Sequence, residues 1–403
     1  MTPRGRTAAA LLAALLSYAI LTIWIEQRWA WSLAQCAVFV SVAVWAAGQL
    51  RHPSAVRGSW WLAPLCAAPL WGLLQLAAGT TVYRWATWNA VLNWTTWVAL
   101  FFLALQVFQG SSARHWFLRF AVYFGFGLSV LSTVQMFTSD GKIFWLFPSG
   151  YTDFVLGPFV YRNQYAAFLE MLLPIALWEA LRGRRLAFAN CAMAAAMLAS
   201  VVAAATRAGS ILMCAEVILV LVLAWWRGLA QAGMVARGLA MFGAIAVVLT
   251  AVAGWQTLRH RLLEADPLAA RREYVISSLH MLHDRPGMGF GLGNWPRAYP
   301  RYALFDDGHY VNQAHNDWMQ WAVEGGLPFF AILLVLVAMV APAAWRSVWG
   351  IGLLSVWVHC LVEYPLQQRP GIGAWFFVLL GALAAARGAR FSVPPSASAD
   401  GSL

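Results

Sequence analysis

The chain has 403 residues, of which 61% are hydrophobic and only 11% charged, and its mean hydropathy is +0.64. A soluble globular protein carries about a quarter charged residues, so this composition excludes a soluble fold. The net charge is +11 at pH 7, and the 24 tryptophans are typical of a protein with aromatic side chains at two membrane interfaces. We therefore predict an all-α polytopic membrane protein.

Apolar segments of membrane-crossing length follow one another along the chain. A hydrocarbon core about 30 Å thick requires roughly 20 apolar residues per helix. The sequence contains twelve such segments, which we predict to be transmembrane helices. They lie near 8–26, 29–48, 60–79, 86–108, 115–137, 164–182, 186–205, 208–227, 234–256, 318–341, 346–363 and 371–388.

Two long hydrophilic connections, 138–163 and 257–317, interrupt this series. They suggest an organisation in three parts. Residues 1–150 form transmembrane helices one to five, and residues 151–390 form helices six to twelve with the large loop. The low-complexity end of the chain, 391–403, is predicted to be a disordered cytoplasmic tail.

The distribution of basic residues predicts the orientation. With the N-terminus inside, every short inside loop carries arginine and none carries an acid, so both termini are predicted to be cytoplasmic. The loop 257–317 then lies outside although it contains seven arginines, because long translocated loops tolerate positive charge. Guanidinium groups on that side suit a phosphate ligand, although an arginine-rich codon bias explains the same residues equally well.

Polar side chains stand at the predicted outer ends of several helices. Arg162 and Asn163 directly precede the sixth helix, where the alternative for Arg162 is simple contact with lipid headgroups. Arg207, in "TRAGS", lies in a turn so tight that it reaches membrane depth. An arginine there needs a water-filled cavity or an ion-pair partner, such as Glu170 or Glu216.

The large loop contains two further patterns. Residues 268–283 read as an amphipathic helix, with Arg271, Arg272 and Glu273 off its apolar stripe. The stripe consists of Leu268, Val275, Leu279 and Leu282. The following "RPGMGFGLGNW" is a poor dinucleotide fingerprint, because no strand precedes it. We expect a tight, glycine-bent loop on the membrane surface.

The tenth helix begins directly after His315 and Asn316, in "AHNDW". These groups would be costly facing lipid, but the predicted orientation puts them at the wet outer end of the helix. Glu363, in "HCLVEYPL", joins the same layer from the eleventh helix. Imidazole can act as a general base near neutral pH, although a lone interfacial histidine is more often simply solvated. A secondary transporter would instead place ionisable groups near the midplane of two related halves.

Several stretches together resemble the O-antigen ligase and polymerase superfamily over about 155–385. They are "YRNQYAAFLEMLLPIAL", "TRAGS", "RREYVISSLHMLHDRPGMGFGLGNW", "AHNDWMQWAVEGGLP" and "HCLVEYPL", in that order. The resemblance implies a glycosyltransferase C-type fold in the bacterial inner membrane, with the active site facing the periplasm.

The resemblance also implies the reaction. The donor would be a glycan on undecaprenyl diphosphate, transferred with inversion and without a metal or other cofactor. The acceptor would be lipid A core for a ligase, a growing glycan for a polymerase, or a protein hydroxyl. Membrane lipid is an implied partner and nucleic acid is not. A transporter that flips lipid-linked glycan is the alternative from a different functional class.

Residue roles follow from the resemblance by motif. Arg207 and Arg271 would clamp the diphosphate, and His315 would contact or deprotonate the acceptor hydroxyl. Arg272 stands beside Arg271 and competes for the same role. The predicted substrate-binding residues are Arg162, Asn163, Arg272, Asn316 and Glu363. The stretch from Pro286 to His315 is short for gripping a lipid A core, which adds weight to a polymerase. The ordered motif set matches the ligases most readily, so a ligase is the first expectation and a polymerase the alternative.

Overall fold

The computed structural model describes residues 3–151, 155–182, 186–229, 232–263, 269–304, 308 and 310–387. These residues are mostly helical. The helices before the large loop are α1 Pro3–Leu21, α2 Arg28–Arg51, α3 Leu62–Ala77, α4 Arg84–Val107, α5 Ser111–Thr138, α6 Arg162–Arg182, α7 Ala187–Ala203, α8 Arg207–Trp226 and α9 Ala232–Ala253. A short antiparallel hairpin, β1 Lys142–Ile143 and β2 Phe147–Pro148, lies between α5 and α6.

The large loop is itself mostly helical. It contains α10 Gln256–Leu262, α11 Ala269–Asp284 and α12 Trp295–Ala298, followed by the 3-10 turn Tyr299–Arg301. The remaining helices are α13 Asp317–Arg346, α14 Ile351–His359 and α15 Pro370–Ala386, and the 3-10 turn Val348–Gly350 leads into α14. The predicted tail, 391–403, and Leu268 lie outside the described residues.

Each of the twelve predicted spans coincides with a helix, and the all-helical membrane fold is confirmed. By length and composition, five helices in the described ranges can cross a membrane: α2, α4, α5, α8 and α13. Ala236–Val252 with Gln256–Leu262, bent by 96°, would make a sixth, and five shorter apolar helices accompany them. The count of twelve and the glycosyltransferase C-type architecture remain predictions.

The first five helices share one core with the rest of the chain. Trp375 Nε1 in α15 donates to Leu16 O in α1 at 2.9 Å, and Trp97 Nε1 in α4 donates to Pro370 O at 3.1 Å. Trp71 Nε1 in α3 donates a hydrogen bond of 2.8 Å into α13. These indole groups are partnered inside the bundle, and they attach the N-terminal helices to the elements that carry the site.

Helix α13 breaks at Gly326, where φ is 73° and ψ is 178°. The glycine-rich loop fills the break: Leu327 N donates to Pro286 O at 2.8 Å, and Phe290 N donates to Val323 O at 3.2 Å. The loop is tight, as predicted, and most of it is buried against other helices rather than exposed; its position at the membrane surface remains a prediction. It packs against α3 and α13 because the interrupted helix leaves backbone groups that the loop can pair with.

The hydrogen bonds of Glu324 explain why this acidic residue stands directly before the apolar part of α13. Its carboxylate is 1% exposed and accepts hydrogen bonds from Gly293 N at 2.8 Å and Trp295 N at 3.1 Å. Gln75 Nε2 from α3 donates to its carbonyl oxygen at 2.8 Å. The carboxylate thus satisfies backbone donors at the start of α12, where negative charge is favourable.

The predicted burial of α11 needs correction. Leu279, on the predicted apolar stripe, is 49% exposed, whereas Glu273 is 6% exposed. Glu273 accepts hydrogen bonds from Tyr299 Oη at 2.7 Å and Ser277 Oγ at 3.0 Å. Hydrogen bonding therefore decides which face of α11 is buried.

Candidate active site

A buried carboxylate, Glu363, lies at the centre of the polar groups at one end of the bundle. It is in the loop after α14 and is 1% exposed. Its oxygens accept hydrogen bonds from Tyr161 Oη at 3.0 Å and from Asn163 Nδ2, and Arg271 Nη2 forms an ion pair with it. His315 Nδ1 lies 3.5 Å from Glu363 Oε2. We call these five residues the Glu363 cluster.

His315 is held in an uncommon backbone conformation. Its φ is 53°, a left-handed value that costs about 1–3 kcal/mol for a residue other than glycine. Its ring stacks on Tyr274 with centroids 5.7 Å apart and meets Tyr364 edge-on at 4.7 Å. Since Nδ1 faces Glu363, the opposite ring nitrogen, Nε2, is the atom that can serve a ligand.

The protonation states in the cluster follow from burial and charge. Burial acts to raise the pKa of Glu363, but the interaction with His315 and the charge of Arg271 lower it more, so its pKa lies below the usual 4.5. Burial and the negative charge of Glu363 raise the pKa of Tyr161 well above its usual value. Glu363 is therefore ionised at neutral pH, and Tyr161 remains protonated and donates to it.

The two neighbouring arginines of α11 point in different directions. The side chain of Arg271 is 29% exposed and contacts Glu363. Arg272 is exposed and is not among the groups that pair with Glu363. Successive residues of a helix lie 100° apart around its axis, so only one of the two can face the cluster. The roles of both arginines in binding a substrate remain predictions.

Further arginines surround the cluster. Arg207 begins α8 after a tight turn in which Ala205 has a φ of 54°, and its Nη1 donates to Arg261 O at 3.1 Å. Arg162 begins α6, and the charges of Arg261, Arg207 and Glu363 all act on it. Arg162, Arg207 and Arg261 thus form a positive region beside the Glu363 cluster. Such a concentration of positive charge attracts anions.

Asp317, the first residue of α13, holds the loop that carries Glu363. Its backbone N–H donates to Cys360 O at 2.9 Å and to Glu363 O at 3.2 Å. Its buried carboxylate accepts from Leu366 N at 3.0 Å. Because Asp317 follows His315 by two residues, these bonds bring the histidine and Glu363 together.

Asn316 has a clear structural task. Its Oδ1 accepts a hydrogen bond from Met319 N at 2.9 Å, which caps the beginning of α13. Its Nδ2 donates to Leu361 O at 2.8 Å, in the loop after α14. Capping with asparagine stabilises a helix start by about 1 kcal/mol. The Asn316 amide therefore stabilises the start of α13 and its attachment to the loop after α14. Direct contact of Asn316 with substrate remains a prediction.

Glu170 is not the ion-pair partner of Arg207 that we considered. It lies inside the bundle, 0% exposed, and His359 Nδ1 is 2.8 Å from its Oε1. Glu216 is also buried, and neither of its carboxylate oxygens has a hydrogen-bond partner among the described residues. The contact between Glu170 and His359 joins α6 to α14.

The sequence predicts neither a cofactor nor a metal for this site. The described residues contain no group of three or more His, Cys, Asp and Glu side chains in the geometry of a metal site. The acidic and imidazole groups of the cluster contact each other and Arg271 instead. The expectation of a reaction without metal remains a prediction.

Sequence reasoning misses three residues of the site: Tyr161, Tyr274 and Arg261. Tyr161 is hidden beside Arg162 in "YRNQY", where no pattern marks it as buried. Tyr274 lies three residues after Arg271 on α11, a spacing that puts both on one face. That spacing is the one signal in the sequence that could have found it.

One family model matches part of the chain. Residues 192–334 match the family model described as O-antigen ligase. This match supports the resemblance to the O-antigen ligase superfamily. No curated protein matches the chain in sequence. The resemblance inferred from the ordered motifs is confirmed, and with it a function of ligase or polymerase type in polysaccharide biosynthesis and a glycosyltransferase-like enzyme.

The O-antigen ligase match covers only part of the site. Arg207, Arg271 and His315 lie within 192–334, whereas Asn163 and Glu363 lie outside it. The structure brings both sets together in one cluster. The positions outside the match therefore belong to the same site by geometry.

Proposed function

We propose that this protein transfers a glycan from undecaprenyl diphosphate to an acceptor hydroxyl at the periplasmic face of the inner membrane. The observation that carries the proposal is Glu363, whose carboxylate contacts both His315 and Arg271. His315 thus offers a base, and Arg271 with the neighbouring arginines offers positive charge. Glycosyl transfer from a diphosphate requires both.

His315 would act on the acceptor. Glu363 faces its Nδ1, which favours the tautomer with the proton on Nδ1 and leaves Nε2 basic. As the acceptor oxygen attacks the anomeric carbon, Nε2 takes the hydroxyl proton. The stacking with Tyr274 and the edge contact with Tyr364 hold the ring in a fixed orientation.

The arginines would act on the leaving group. When the bond from the anomeric carbon to the diphosphate oxygen breaks, its electron pair remains on that oxygen. Arg271 has five N–H donors, and its contact with Glu363 uses Nη2. With Arg207 and Arg162 it would stabilise the negative charge that develops on the diphosphate. Attack from the face opposite the leaving group inverts the anomeric configuration.

The test uses purified protein reconstituted with the lipid-linked glycan of the source cells. We expect release of undecaprenyl diphosphate only when an acceptor is present. His315→Ala should abolish transfer while donor binding persists, because the diphosphate contacts the arginines. Near-normal turnover of His315→Gln would rule out a base at this position. Passage of intact donor across the bilayer without product would support the transporter instead.

A polymerase is the second candidate, and the short stretch from Pro286 to His315 favours it. Within 286–315 the structure describes α12, one 3-10 turn and the glycine-rich loop, which is packed against α13 rather than extended. The two enzymes would share the donor site and differ in the acceptor. Supplying lipid A core in one assay and a second lipid-linked glycan in another distinguishes them by the product that accumulates.

A further inference from the structure

One cavity is lined by residues close in sequence to members of the Glu363 cluster. Its volume is about 360 Å³, and it lies where α4, α13 and the loop before α15 meet. Four tryptophans line it: Trp85, Trp94, Trp97 and Trp321. A neighbouring cavity of about 350 Å³ shares Trp85 with it. Volumes of this size are typical of small-ligand sites. We call the first the tryptophan cavity.

The tryptophan cavity and the Glu363 cluster are built from the same chain segments. Gln313, two residues before His315, lines the cavity, and so does Gln368, five residues after Glu363. Gln164 Nε2 donates to Gln368 Oε1 at 2.9 Å, which joins the start of α6 to the cavity wall. A molecule held in the cavity would therefore lie next to the reacting groups.

The amide groups of the cavity fall into two classes. Asn93 Oδ1 accepts a hydrogen bond from Trp31 Nε1 at 2.8 Å, and Gln320 Oε1 accepts from a backbone N–H at 3.0 Å. In contrast, Asn89 Oδ1 and Gln313 Oε1 are shielded from bulk solvent and have no hydrogen-bond partner among the described residues. Shielded carbonyl oxygens without a partner are costly, and a hydroxyl group can satisfy them.

The charged groups of the cavity are already engaged. The Glu324 carboxylate accepts backbone hydrogen bonds from Gly293 and Trp295, and the Arg297 guanidinium lies 4.5 Å from the centroid of the Tyr83 ring. The cavity is thus lined by indole rings, of which Trp85 is the exposed one, and by neutral amides rather than by a concentration of one charge. It suits an uncharged, hydroxyl-rich ring better than a phosphate.

We propose that the tryptophan cavity is a sugar-binding subsite. A pyranose has an apolar C–H face, which packs against indole, and hydroxyl groups at its edge, which donate to Asn89 Oδ1 and Gln313 Oε1. The bound sugar is a residue of a glycan whose reacting end lies at the Glu363 cluster. This inference rests on the proposed function, since a glycan substrate supplies the sugar. The glycan is either the donor's or the acceptor's.

The test measures binding rather than turnover. The probe is the repeat-unit oligosaccharide released by mild acid from the surface polysaccharide of the source cells, titrated calorimetrically into the full-length protein in detergent. Asn89→Leu and Gln313→Leu should each weaken its binding about tenfold, the effect of one lost hydrogen bond of about 1.4 kcal/mol. Trp85→Ala should also weaken it.

Trp88→Ala is the matched control. Trp88 lies on the same helix as Trp85 and is similarly exposed, 43% against 53%, but does not line the cavity. Its replacement should leave binding of the oligosaccharide unchanged. Unfolding midpoints of all variants show whether the protein is intact. Wild-type affinity in Asn89→Leu, Gln313→Leu and Trp85→Ala together would overturn the subsite, and so would absence of binding to the wild type.

Two further measurements separate this inference from the proposed function. Inorganic diphosphate reports on the arginines alone, and its affinity should be the same in Asn89→Leu as in the wild type. If the oligosaccharide binds as described but no transfer occurs, the subsite stands and the transferase proposal fails. Where transfer occurs, a raised KM for the donor alone assigns the sugar to the donor glycan. A raised KM for the acceptor alone assigns it to the acceptor glycan.

Discussion

At the scale of single residues, Glu363 connects the two chemical halves of the site. It contacts a histidine, an arginine, a tyrosine and an asparagine that come from widely separated positions. A buried carboxylate needs such partners, because leaving one unpaired costs several kcal/mol. The motif "HCLVEYPL" marks Glu363 as a candidate, but only its contacts reveal that it is the common partner.

The neighbouring arginines of α11 give the sharpest residue-level prediction. Arg271→Ala should lower kcat/KM by about 100-fold or more, the usual effect of removing a donor that stabilises developing negative charge. Arg272→Ala, its exposed neighbour, should change kcat/KM by less than about fivefold. Arg271→Lys should rescue only part of the loss, because an ammonium group cannot make a bidentate contact. The opposite ranking of the two alanine variants would refute the assignment.

A second residue-level prediction concerns pH and Glu363. Because the folded-state pKa lies below the usual 4.5, ionisation of Glu363 favours the folded state. Its stabilising contribution is complete above that value and is lost as the pH falls through the lower folded pKa. Thermal unfolding in detergent should therefore show Glu363→Gln less stable than the wild type from pH 8 down to pH 5.

The difference in stability should not shrink over that range, because the Glu363 carboxylate stays ionised throughout it. The difference should narrow only below about pH 4.5, where the Glu363 carboxyl of the unfolded wild-type chain begins to protonate, and it is lost as the pH falls through the lower folded-state pKa. If the stability difference between Glu363→Gln and the wild type disappears above pH 5, then burial outweighs the favourable charges and the folded-state pKa of Glu363 is raised.

At the scale of elements, the break in α13 determines how the large loop is attached. Gly326 has a φ of 73°, and a Cβ added there would collide with the carbonyl of Gly287. The sequence "EGGLP" predicts a weak point in a helix, because glycine and proline both disfavour the helical interior. It does not predict that the glycine-rich loop enters the break.

Gly326→Ala tests this arrangement. Strain at a left-handed position together with a steric collision should destabilise the protein by about 3 kcal/mol or more. Gly127→Ala in α5 is the control, because Gly127 is helical and a Cβ there meets nothing within 4 Å. That substitution should be neutral or stabilise by up to about 1 kcal/mol. Equal unfolding midpoints for the two variants would show that the loop is not anchored at Gly326.

At the scale of the whole molecule, the N-terminal helices are part of the structure that supports the site. The division at residue 150 follows the long connection in the sequence, but the packing does not stop there. Tryptophans of α3, α4 and α15 hydrogen-bond across it. The first five helices resemble the family only as generic membrane helices. They nevertheless support the elements that carry Glu324 and the tryptophan cavity.

Splitting the chain tests this dependence. Residues 1–151 and 152–403, expressed together as separate polypeptides, should co-purify, because the indole hydrogen bonds and the shared core hold them together. Each half expressed alone should aggregate or be degraded. Size-exclusion chromatography in detergent is the measurement. A monodisperse 152–403 fragment with intact oligosaccharide binding would show that the second part folds independently.

The sequence by itself determined where the helices lie and indicated which residues are candidates for the site. Twelve apolar segments predicted helices at twelve correct positions, because a run of about 20 apolar residues can satisfy its backbone in lipid only by forming a helix. The ordered motifs also identified the family and named Arg207, Arg271, His315 and Glu363. Both kinds of information are local, since they depend on residue type and on spacing within one segment.

Only the tertiary structure decided which polar groups meet. The pairing of Arg271 with Glu363 spans 92 residues, and the pairing of Glu170 with His359 spans 189. The buried face of α11 likewise followed hydrogen bonds rather than its apolar stripe. Inside a membrane, apolar side chains are satisfied by lipid as well as by protein, so they constrain packing weakly. A buried polar group must find a protein partner, and that partner can come from anywhere in the chain.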